Sequence, residues 1–234
     1  MSISLVILLL SLIVLLLSVV IHELAHGYVA YSLGDPTAKY AGRLTLNPLK
    51  HLDTFGSIIL PLLLLVATGF KGPIFGWAKP VPINPYNFKD QKWGSFKVAI
   101  AGPITNFAMA IIFAVANRFL PLAAEIKSQV LYSYLINNQD NLSSALTHSP
   151  MALLFLFFFI ISFYNFLWGL FNLVPISPLD GSWVLFNFFP PHMERAKIWL
   201  QQYGLFILLF FIFLGGLQYL GQGAQLLYAL FSGG

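Results

Sequence analysis

The chain has 234 residues, of which 58% are hydrophobic and only 9% charged, where an ordinary globular domain carries about 25% charged residues. So few charges cannot cover a water-soluble surface, which excludes a soluble enzyme and a disordered tail, and the 12 basic residues are too scattered for a phosphate-tracking nucleic-acid binder at a net charge of +4. Cysteine is absent, so the chain has no disulfide, no thiolate metal ligand and no cysteine nucleophile.

A helix that crosses the hydrocarbon core needs about 20 apolar residues. Residues 1–22 contain no Asp, Glu, Lys or Arg. They lack the basic leader region and small-residue cleavage pattern of a signal peptide, and they run without a break into His22-Glu23-Leu24-Ala25-His26. The pattern predicts one helix from about Ile3 to about Leu33, stopped at Gly34-Asp35-Pro36. Residues 37–46 have β-like composition and end at Asn47-Pro48, so a strand is predicted there. Residues 54–70 are apolar but short, with Pro61 inside, which suits a re-entrant or interfacial path better than a crossing. Residues 71–90, with Gly72, Pro73, Gly76, Pro80, Pro82 and Pro85, predict extended, irregular backbone. The segments 37–46 and 71–85 are candidate strands at the membrane interface that could hold an unwound substrate as an added strand.

Farther along, residues 98–117 and the run Met151 to Phe171 are long enough to cross, and 118–149 reads as a polar connection. Residues 198–234 make one span or two, with Gly215-Gly216 in the middle. The fold class predicted is an all-α polytopic membrane protein with four to six transmembrane or re-entrant helices and a small membrane-associated β element. It forms a single membrane-embedded domain over 1–234, with a catalytic core over 1–190 and C-terminal helices over 191–234.

The spacing His22-x-x-x-His26 places two imidazoles on one helix face, able to bind one metal ion, with Glu23 beside them as a base for a metal-activated water. The competing reading is a polar helix end snorkelling to water. A catalytic zinc needs a third protein ligand. His51, His148, His192, Glu125, Glu194 and Asp140 all lie in predicted connections. Asp180 stands apart, after 39 residues without a formal charge, where Pro175 and Pro178 break the helix and Gly181 allows a turn. A solvated Asp at a helix end is the alternative.

Three motifs now stand in order: His22-Glu23-Leu24-Ala25-His26, Ala101-Gly102-Pro103 followed by Asn106, and Asn172 through Pro178-Leu179-Asp180-Gly181. Together they resemble the site-2 protease family of intramembrane zinc metalloproteases, in a minimal form with no room for a PDZ insertion or other soluble domain. The resemblance implies one Zn2+ per chain held by His22, His26 and Asp180, Glu23 as general base, and Asn106 positioning substrate or stabilising an oxyanion. A helix-packing pair of Gly102 and Asn106 is the other reading of that motif. Asn172 could bond the unwound backbone or meet substrate.

The three ligands meet at one depth only if 54–70 does not cross. In that layout residues 31–97 share one side and carry eight Lys or Arg, against two on the side of 118–149. This bias puts the zinc toward the cytoplasmic face, as expected for a bacterial inner-membrane protein. The expected function is hydrolysis of peptide bonds within or near transmembrane segments. The partners are a membrane-anchored protein or peptide substrate and the lipid bilayer, with no nucleic acid. The alternative is a metal transporter or metal-binding protein without protease activity, although a transporter usually shows ligands on several spans and inverted repeats.

Overall fold

The unbroken apolar stretch forms α1, Ile3–Ser32, in the computed structural model, which describes residues 3–59, 62–63, 78–136, 138–147 and 149–233. At 1.5 Å per residue α1 is about 45 Å long, so its last turns reach past a hydrocarbon layer about 30 Å thick. Two further long helices pack on it: α3, Gly94–Arg118, and α6, Pro150–Leu173. (α2, Thr37–Tyr40, is a single short turn.)

Hydrogen bonds between the long helices fix their directions. His26 and His22 of α1 meet Val98 and Asn106 of α3, so these two run antiparallel. Asn106, Ala110 and Asn117 of α3 meet Asn165, Ser162 and Phe155 of α6, so α6 runs parallel to α1. The end of α1 and the start of α3 therefore lie at the same end of the core, and the chain between them leaves and returns there. That is the arrangement the three-ligand reading requires. Lipid offers helices no hydrophobic reason to associate, so close packing and interhelical hydrogen bonds must hold them together. Both are present. Ala99, Gly102, Ala110 and Ala114 give α3 a small-residue face, and Phe155, Phe159, Ile160 and Phe166 of α6 are buried in the core.

The stretch 118–149, expected as a polar connection, folds into α4, Ala124–Leu135, and α5, Gln139–Thr147. Leu142, Ala145 and Leu146 recur at helical spacing and are buried in the core with Val130. After α6 come α7, Asp180–Phe186, α8, Glu194–Phe213, and α9, Gly216–Ser232. The last 37 residues thus form two helices, parted by Gly215 in the left-handed conformation at φ +87°. Within α9, Ala224 and Tyr228 face the core. Among the described residues four stretches are long and apolar enough to cross a membrane: Leu5–Ser32, Gly94–Arg118, Pro150–Leu173 and Pro191–Phe213.

No strand forms at the expected places among the described residues. Among the described residues the β element shrinks to one antiparallel bridge, Leu52 with Ala78. Residues 37–46 instead open with α2. Asp35 accepts from Thr37, Pro36 precedes the turn, and Gly42 closes it at φ +64° with Gly42 N–H to Lys39 O and Arg43 N–H to Ala38 O. That is a helix stop built on glycine, not a strand. Residues Thr54–Ile59 form a π-helical turn. The rest of the doubtful segment, apart from 62–63, and residues 71–77 with Gly72, Pro73 and Gly76, lie outside the described residues.

The segment from 78 onward is strapped along α1. Arg43 Nη2 donates to Lys79 O at 2.6 Å and Lys89 N–H to Leu33 O at 2.8 Å. Asp35, fully buried, accepts from the Thr37 amide and hydroxyl, from Asn84 N–H at 2.8 Å and from Asn87 Nδ2 at 2.8 Å. Burial alone would raise the Asp35 pKa, and these donors outweigh it and hold the carboxyl below its ordinary 3.8. A depressed native pKa gives stability that is complete above the unfolded value and is lost as pH falls through the native one. Asp35→Asn should therefore cost about 1–3 kcal/mol at pH 7 and flatten the acid loss of stability below about pH 4. Melting curves of the two proteins in detergent at both pH values check this, and identical curves would refute the clamp.

Candidate metal centre

His22 and His26 lie one helical turn apart on α1, their rings edge to face with centroids 4.6 Å apart and their Nε2 atoms 3.0 Å apart. The third group arrives from α6. That helix ends at Leu173, and Pro175 and Pro178 supply no N–H to continue it. The backbone unwinds until α7 begins at Asp180. Gly181 makes this turn possible, because a Cβ there would run into the Leu173 and Val174 carbonyls. Asp180 Oδ2 then lies 3.0 Å from His22 Nε2 and 3.2 Å from His26 Nε2.

The far nitrogens are also engaged. His26 Nδ1 donates to Val98 O at 2.7 Å, and His22 Nδ1 faces Asn106 Oδ1 at 2.6 Å. Pro103 cannot donate to Ala99 O, which leaves α3 one bond short in the turn where Val98 O turns to His26. With hydrogens on Nδ1, each neutral ring presents a bare Nε2 lone pair. Asp180 Oδ2 is buried and has no hydrogen-bond donor. Three lone-pair atoms thus converge with no hydrogen between them, an arrangement that a cation satisfies. Their spacing of 3.0–3.2 Å is close to the roughly 3.3 Å between ligands of a tetrahedral zinc with bonds of 2.0–2.1 Å. Two imidazoles and one carboxylate fit zinc and leave the fourth position open.

Among the described residues this is the one cluster that could hold a metal. His51 is buried elsewhere, bonded to Thr45 O. His192 is exposed in the turn Pro191–Met193, and Glu125, Asp140 and Glu194 sit in the first turns of α4, α5 and α8. His148 lies outside the described residues.

Glu23 is half-buried next to the first imidazole, and its Oε2 accepts the Val81 N–H at 2.8 Å. Glu23, His26 and Asp180 line a cavity of about 380 Å³ together with Val81, Phe88 and Trp183. The wall at 79–82 is a poor strand partner. Lys79 N–H is bonded to His51 O, Val81 N–H to Glu23, and Pro80 and Pro82 have none. Residues 79–82 thus offer few free N–H groups for an added strand, and residues 71–77 of the expected segment lie outside the described residues.

Asn106 is fully buried on the Nδ1 side of His22, away from Asp180, and its amide nitrogen donates to Asn165 Oδ1 at 2.8 Å. The structure thus places it behind a ligand and not in the cavity. Asn172 donates to Trp168 O in its own helix. Sequence reasoning missed Asn165, Ser18 and the closeness of Gly102 to both imidazoles. The available signal was a lone amide or hydroxyl inside an apolar helix.

Residues 10–211 match peptidase family M50. Three similar bacterial proteins carry the name "Putative zinc metalloprotease". YwhC of Bacillus subtilis (strain 168) is 38% identical over 188 residues, which are 80% of this chain and 73% of YwhC. Rip2 of Mycobacterium tuberculosis (strain ATCC 25618 / H37Rv) is 26% identical over 81% of this chain. Rip2 of Mycolicibacterium smegmatis is 26% identical over 80% of it. The aligned parts are 61% and 60% of those two proteins. No solved structure matches the chain significantly. The matched region begins in α1, takes in the whole ligand cluster and ends in α8, so the chain belongs to peptidase family M50, the site-2 protease family, and is a membrane-embedded zinc metallopeptidase.

Proposed function

We propose that the chain is an endopeptidase that cuts membrane-anchored proteins or peptides within or beside a membrane-crossing segment. The observation that carries this reading is the ligand cluster with Glu23, opening into a cavity near the end of a membrane-crossing helix. His22, His26 and Asp180 are the residues to hold zinc. When bound, zinc supplies a Lewis acid that polarises the scissile carbonyl and makes water acidic. Glu23 takes the proton of the attacking water and delivers it to the leaving amine. With Oε2 holding the Val81 N–H, the other carboxylate oxygen is the one to take that proton. The apolar side chains of Val81, Phe88 and Trp183 favour an apolar substrate residue beside the cut. The eight basic residues of 31–97 support a cytoplasmic placement of the site in a bacterial inner membrane.

The test uses purified full-length chain in proteoliposomes with a single-helix anchored reporter and a soluble peptide of the same sequence. Wild type should cut the anchored form preferentially, while His22→Ala and Asp180→Ala should lose zinc and cut neither. Equal cleavage of both forms would remove the intramembrane reading, and cleavage by Asp180→Ala would remove the ligand assignment.

A further inference from the structure

Four side chains from α1, α3 and α6 form a hydrogen-bond relay whose direction is set by main-chain carbonyls. Ser18 Oγ donates to Val14 O at 2.7 Å, so its oxygen is left to accept. Asn165 Nδ2 donates to that oxygen at 2.9 Å and to Ile161 O at 2.8 Å. A carbonyl cannot donate, so this side of the Asn165 amide must be the NH2 and Oδ1 must face Asn106. Asn106 then donates to Asn165 and turns its own Oδ1 toward His22 Nδ1. His22 accordingly carries its hydrogen on Nδ1 and leaves Nε2 bare. Ser18, His22, Asn106 and Asn165 are each no more than 4% exposed, so water does not scramble the order.

We propose that Asn165 is a positioning residue of the metal centre, selecting the His22 tautomer that offers Nε2 to the metal; this rests on the zinc reading above. The competing state explains why a selector is needed. Asp180 Oδ2 lies 3.0 Å from His22 Nε2. If Asn106 reversed its amide, His22 would move its hydrogen to Nε2 and donate it to Asp180. That internal hydrogen bond would fill the metal position with a proton. Asn165 blocks the reversal, because a flipped Asn106 would set oxygen against oxygen.

The experiment compares zinc dissociation constants, by chelator competition on the full chain in detergent, with melting temperatures of the metal-free protein. Asn165→Leu frees Asn106 to reverse and should weaken zinc about 10-fold, the lower end of the cost of disturbing the group bonded to a metal ligand. Ser18→Ala leaves Asn165 held by Ile161 O and should change affinity by under about threefold. Asn117→Leu is the control. It removes another buried amide of α3, bonded to Phe155 O and the Tyr228 hydroxyl, toward the opposite end of that helix. It should lower the melting temperature and leave zinc affinity alone. Asn165→Ala serves if the leucine variant does not fold. Wild-type affinity in the Asn165 variants, or equal weakening in Asn117→Leu, would overturn the proposal. A wild-type chain that binds no zinc would instead overturn the metal reading itself.

Discussion

Replacing Gly102 by alanine should strip the chain of zinc and end hydrolysis while leaving the helices assembled. A Cβ at this position would lie 2.5 Å from both His22 Cε1 and His26 Nε2 and 2.6 Å from His22 Nε2, where real Cβ contacts essentially never fall below 3.0 Å. The imidazoles cannot step aside, because their Nδ1 atoms are tied to Asn106 and Val98 on the same helix that carries the intrusion. Nor can α3 withdraw without parting from the buried aromatic face of α6. Alanine is the better helix former by about 1 kcal/mol, so α3 itself gains while the ligand geometry is lost. Zinc affinity should fall by at least about 100-fold. Metal content after dialysis against a chelator, read beside the melting curve of the metal-free protein, separates the two effects. One tightly held zinc per chain in Gly102→Ala would show that the glycine is not what lets the ligands converge.

Glu23→Gln should give the opposite split, with zinc retained and hydrolysis lowered by about 10²- to 10⁴-fold, the usual range for a general base. The three atoms placed to hold the metal belong to His22, His26 and Asp180, so on this reading the metal does not depend on the Glu23 carboxylate. Glutamine keeps the length of the side chain and an oxygen that can accept the Val81 N–H, so the strapped segment should stay in place. Only the ability to take and return a proton is lost. Zinc stoichiometry and reporter cleavage measured on one preparation check this. A variant within about tenfold of wild type would require another base.

The long helices and the paired imidazoles were legible in the sequence because each rests on a local rule. Hydrophobic length marked α1, α3 and α6, and the i, i+4 spacing marked His22 and His26 as a candidate metal pair. The proline break singled out Asp180 without deciding between a ligand and a solvated helix end, and the family resemblance was what implied it as the third ligand. Features that depend on partners in space were not legible. Asn165 is one more amide in an apolar helix until Ile161 O and Ser18 fix which way it points. Asn106 matched a motif, yet its bond to His22 Nδ1 gives it a place behind the ligand that spacing alone could not reveal. The strand expectation for 37–46 weighed composition and overlooked Pro36 and Gly42 as the start and stop of a helical turn. The apolar triplet Leu142, Ala145 and Leu146 was diluted by its polar neighbours, so α5 passed for a connection.

The alternating directions of α1, α3 and α6 also bear on how the protein is made. The first helix enters the bilayer with His22, Glu23 and His26 but without Asp180, which follows α6. Until that later helix has inserted and its turn has docked, the chain lacks the third ligand. On the zinc reading, a chain halted before that point would lack the full ligand set and with it the activity. Retention of the metal would therefore report that α1, α3 and α6 have come together.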